Sequence, residues 1–197
     1  MQVSRTAGAV CGILGPTAFV SAWLVGGLLT DGYDPVEQAI SQLAREGAPT
    51  RALMTSGLVV FGLLMPVWAR VIRRELDSRA VGGAVTVAGL ATFAVALLPL
   101  TREPGGTQDL LHAGAAGIGY IAMAVTPLLA AAPLRRLGRD RAAATSVVVG
   151  LVSVAALVGT VAVTERGGGL QRLGLTVVDV WHVVAAGWVL RRTRGGA

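Results

Sequence analysis

The stretch Ala143–Val163, AATSVVVGLVSVAALVGTVAV, holds 21 residues and no charge. At about 1.5 Å per residue a helix of this length covers about 30 Å, the thickness of a bilayer's hydrocarbon core. Its glycines do not argue against a helix, because membrane spans tolerate glycine and proline. Five more apolar segments accompany it, at residues 7–30, 51–72, 80–99, 108–132 and 171–190. The sequence therefore predicts an all-α fold: a polytopic transmembrane six-helix bundle, one domain over residues 1–197. The first segment is long and has no convincing small-residue cleavage site, so it reads as a retained span rather than a signal peptide.

Composition points the same way. Hydrophobic residues make up 53% of the chain and charged residues 14%, with a mean hydropathy of +0.66. A soluble domain carries about 25% charged residues, so this chain has too few to cover a water-facing surface. Disorder is excluded because it requires low hydrophobicity. Cys11 is the one cysteine, which excludes an intrachain disulfide and reads as a small buried hydrophobe.

The net charge of +6 comes entirely from arginine, and the chain has no lysine. The arginines fall in short clusters between apolar runs. They lack the interleaved aromatics that nucleic-acid binding would use, so membrane lipids are the expected partners. Twelve lie at the two termini and in the 2–3 and 4–5 loops; five lie in the other three loops. The positive-inside rule then predicts cytoplasmic termini in a multi-pass protein of the cell membrane.

The first outer loop, Asp31–Gly47, is the longest. Asp34 suits an N-cap, Pro35 the first helical position and Glu37 the third. Val36, Ile40 and Leu43 share a face at helical spacing, and Gly47 can end the helix left-handed. A short amphipathic helix is expected there, on the membrane surface or folded over the mouth of the bundle. Small residues such as Gly8, Gly12, Ala113, Gly114 and Gly117 are candidates for close helix approach. Trp68 and Trp188 suit interface anchoring.

Four residues carry most of the chemical interest. Asp109 and His112 open span 4, and Asp179 and His182 lie inside span 6. Each pair reads Asp-x-x-His, so its two side chains share a helix face. A carboxylate near mid-membrane costs about 2.5–3.5 kcal/mol or more unless paired, neutral or hydrated. Three readings stay open. His112, His182 and Asp109 could hold zinc with an open water position. Asp179 could orient His182 in metal-free acid/base work. Each pair could instead simply lock helix packing. All four are candidate catalytic residues, with Asp34, Ser41, Gln171 and Arg172 as candidate substrate-binding groups at the mouth. Ser41 with a histidine also admits a nucleophile. The turn Thr101–Gln108 echoes Thr164–Gln171, which hints at related hairpins. Cofactor content is either none or zinc.

The motif Tyr33-Asp34-Pro35 with Ile40-Ser41-Gln42-Leu43, then Asp109-x-x-His112, then Gly169-Leu170-Gln171-Arg172, resembles the bacterial membrane family catalogued as domain of unknown function 998. The likeness covers nearly the whole chain and implies a six-span protein of the inner membrane. A looser similarity links it to membrane hydrolases that gather Ser, Asp and His around a metal. The expected function is an outward-opening polar pocket that acts on or binds a lipid or small amphipathic molecule. The alternatives are a non-catalytic lipid- or protein-binding membrane protein and a small transporter or proton-coupled carrier. Oligomerisation is compatible with each.

Overall fold

A computed structural model describes residues 3–194. Its long helices are α1 (Arg5–Leu28), α2 (Arg51–Glu75), α3 (Arg79–Leu97), α4 (Thr107–Arg136), α5 (Asp140–Ala162) and α6 (Gly167–Arg194). There is no strand among the described residues. All six helices are long and apolar enough to cross a membrane. Ser4 caps α1 by accepting from Ala7 N at 3.1 Å, and Ser78 caps α3 by accepting from Val81 N at 3.3 Å. Pro16, Pro66, Pro127 and Pro133 all sit inside helices. Several threonine hydroxyls inside the spans donate to carbonyls one turn back, as Thr126 does to Ala122 O at 2.7 Å, which satisfies them away from water.

Each helix packs on its neighbours in chain order, and α6 closes back on α1. The result is a closed ring, with α4 also reaching across to α6. The first and last helices meet at one carboxylate. Arg5 Nε and Nη2 lie 2.5 and 2.9 Å from the Glu75 oxygens, and Arg192 Nη1 lies 3.9 Å away. Both ends of the described chain therefore lie at one end of the bundle, the terminal end. The 1–2, 3–4 and 5–6 connections form the other, the loop end.

Gly12 and Gly174 are among the glycines that space requires. A Cβ on Gly12 would stand 2.6 Å from the Trp68 ring, and one on Gly174 would strike the Tyr120 hydroxyl. By contrast Gly83, Gly114, Gly117 and Gly187 meet nothing within 4 Å. The close-approach role expected of Gly114 and Gly117 is thus not theirs: Gly114 is exposed and Gly117 borders a cavity. Trp68 is no interface anchor either: it is 0% exposed.

The 1–2 loop also departs from expectation. A turn follows Asp34, then a 3-10 helix over Ile40–Ala44, instead of one helix from Pro35. The reason is competition for carbonyls. Those of Pro35 and Gln38 accept from Arg172 Nη1 at 2.6 and 2.8 Å. Those of Val36 and Glu37 accept from Gly169 N and Gly168 N at 2.7 and 3.3 Å. Four successive carbonyls face α6 and are lost to an α-helical ladder. Ile40 and Leu43 are buried as their spacing suggests, while Val36 is exposed.

Candidate ligand-binding site

Arg172 sits one turn into α6, buried and without a carboxylate partner among the described residues. Besides the two loop carbonyls, its Nη1 donates to Gly168 O at 2.9 Å. Its Nη2 donates to the Tyr33 hydroxyl, which in turn donates to Ala39 O at 3.0 Å. Burial pushes the Tyr33 phenol above its ordinary pKa, and the neighbouring guanidinium partly offsets this. Gln171 accepts from Ile40 N at 2.9 Å. These contacts hold the segment Asp34–Ala44 down over the loop end. Asp34 itself is exposed and stabilises its own turn, accepting from Val36 N at 2.7 Å.

Beneath that segment lies a cavity of about 150 Å³ inside the ring. An apolar void of that size admits a ring or a short hydrocarbon segment. Phe19, Leu58, Phe61, Val95, Met123 and Leu175 supply apolar walls, and Ile40 and Ser41 line it from the loop. Thr92, His112, Tyr120 and Gln171 bring polar groups.

His112 is 4% exposed, and its Nδ1 stands 2.6 Å from Leu98 O. A carbonyl only accepts, so Nδ1 carries the proton and Nε2 keeps a lone pair. No hydrogen bond joins Ser41 to His112, although both line the cavity. Asp109 does not enter it. Its Oδ1 accepts from Thr101 N and Oγ1 at 2.8 and 3.0 Å, and its Oδ2 from Gly105 N at 3.0 Å. Gln108 donates to Pro99 O at 2.7 Å. Three side chains of the first α4 turns thus tie down the 3–4 connection, and His112 alone also faces the cavity.

Asp179 and His182 lie deeper. From the starts of their helices, His182 is roughly 15 Å further along than His112. Asp179 is 2% exposed and His182 0%. Neither lines the cavity, but Asp179 follows one turn after Leu175 of its wall. Trp68 Nε1 donates to His182 Nδ1 at 3.2 Å, leaving the His182 proton on Nε2. Both Asp179 oxygens and His182 Nε2 lack a hydrogen-bond partner. Asp179 therefore does not orient His182; the Trp68 indole does. Nor does the expected zinc set form. Asp109 is spent on the turn, His112 and His182 lie at different depths, and no three metal-ligating side chains gather among the described residues.

The echo between the two turns is not kept. Gly105 turns at φ +103, whereas Gly167–Gly169 already belong to α6. Trp68, Tyr33 and Tyr120 complete the picture; sequence reasoning did not assign them to the site. An indole deep in an apolar span gave no signal beyond its size.

A closed ring of six apolar helices around a mostly apolar cavity, capped by a pinned loop, defines a multi-pass membrane protein of the cell membrane. The chain belongs to the family described as protein of unknown function (DUF998), whose model matches residues 13–188. No similarity to a curated protein or to a solved structure was detected.

Proposed function

We propose that this protein binds a lipid or small amphipathic molecule in the loop-end cavity, and that the loop end faces away from the cytoplasm. The observation that carries this reading is His112: an imidazole with its tautomer set by Leu98, offering one lone pair to a mostly apolar chamber. A ligand hydroxyl would donate to Nε2 while its chain lies among Phe19, Phe61 and Leu175. The same lone pair can take a proton, so acid/base work at His112 is the natural extension. Ser41 and Gln171 border the head group, and Arg172 acts indirectly by holding Ser41 in place. A second reading, proton carriage, is favoured by the unpartnered Asp179 and His182 below the cavity.

Monoolein, a lipid with a hydroxyl head, tests the binding reading in purified protein, with dodecane as the apolar control. Thermal-shift titration is expected to show about tenfold weaker monoolein binding for His112→Leu, the value of one buried hydrogen bond. Dodecane binding should be unchanged. Gly117 lines the cavity and a Cβ there meets open space, so Gly117→Phe should weaken both. Equal monoolein affinity in the native protein and His112→Leu defeats the proposal.

A further inference from the structure

A second opening lies at the terminal end, and it has the opposite character. It is a cleft of about 260 Å³ between α5 and α6, with Ile72 of α2 and Leu76, the residue that follows α2, at its floor. Ile72 and Leu76 are 1% and 3% exposed, so the cleft cuts through the ring wall to its buried side. Val184, on the outer lip, is 61% exposed on the surface that faces lipid.

The charge here is one-sided. Arg139 and Arg191 both line the cleft, and neither makes an ion pair among the described residues. Glu75 is already taken by Arg5 and Arg192. Asp140 follows Arg139 in sequence but is not part of the lining. The Arg139 guanidinium lies 4.2 Å from the Trp188 ring centroid, which holds it in place at the cleft wall. Trp188 Nε1 is a buried donor with no partner. Trp181, also in the wall, has its own N–H satisfied by Ser146 at 2.8 Å.

Two unpaired guanidiniums and an unused indole N–H thus stand above an apolar slot that opens sideways to the bilayer. A phosphate oxygen set matches the donors, because guanidinium recognises phosphate through paired N–H groups. The apolar slot and the lipid-facing lip match an acyl chain. We infer that this cleft binds the head group of an anionic phospholipid, with phosphate on Arg139 and Arg191 and a chain against Ile72, Leu76 and Val184.

The full-length protein in mixed phosphatidylcholine and phosphatidylglycerol vesicles provides the test. Brominated phosphatidylglycerol should quench tryptophan fluorescence more strongly than brominated phosphatidylcholine, and Trp188→Phe should remove much of that preference. Arg139→Gln with Arg191→Gln should lower the phosphatidylglycerol preference about tenfold. These residues are exposed, so folding should survive, and a thermal unfolding scan checks it. Arg70→Gln with Arg79→Gln removes the same charge from exposed positions outside the cleft and should leave the preference within twofold. An equal loss in both double variants overturns the site in favour of general surface charge. Full displacement of brominated phosphatidylglycerol by millimolar inorganic phosphate overturns the lipid assignment in favour of a free-phosphate site.

Discussion

Asp179 keeps both carboxyl oxygens buried and unbonded, an arrangement that costs stability. Replacing it with an apolar residue of similar bulk should stabilise the fold. Asp179→Leu is expected to raise stability by about 1–3 kcal/mol, read as a higher midpoint in thermal unfolding. A lower midpoint would mean that the carboxyl has a stabilising partner. The sequence marked Asp179 and His182 as the residues out of place in an apolar span, and their burial agrees. It could not reveal that Trp68 occupies the His182 nitrogen, because that bond joins residues 114 positions apart. For Asp109 and His112 the shared face was legible, but the use of that face was not. The carbonyls and N–H groups they bind belong to the 3–4 backbone, which looks alike in any sequence.

At the level of elements, helix packing follows from which small residues face a neighbour. Gly12 on α1 lies against Trp68 on α2, whereas Gly114 on α4 faces open space. Gly12→Val should therefore destabilise by about 1–3 kcal/mol through overpacking. Gly114→Val should stay within about 0.5 kcal/mol, as exposed substitutions do. Thermal unfolding of the two variants side by side decides it, and similar losses would count against the packing. The six spans were legible from apolar run length alone, with ends displaced by a few residues. The 1–2 loop was not. Asp34, Pro35 and Glu37 satisfy every local requirement for a helix start, yet long-range bonds to Arg172, Gly168 and Gly169 win. Local capping signals compete with partners that the chain supplies more than 130 residues later.

For the whole molecule, arginine asymmetry sets a testable orientation. In a Cys11→Ser background, a cysteine at Glu103 in the 3–4 turn should react with a membrane-impermeant maleimide on intact cells. One at Leu137, in the 4–5 connection, should not. The reverse pattern would invert the proposed topology. Ring closure itself was not legible, since six apolar segments are compatible with several arrangements. Helix α6 packs on α1, and Arg5 and Arg192 from those two helices both reach Glu75 of α2. That contact has a consequence in time. Ribosomes add about 5–20 residues per second, so several seconds separate the emergence of Glu75 from that of Arg192. Until residues 171–175 emerge, α1 has one flank unoccupied and the loop-end cavity lacks part of its wall. On the proposed lipid-binding reading, a newborn chain receives its ligand through the gap that α6 later closes, and the sixth helix completes the ring around it.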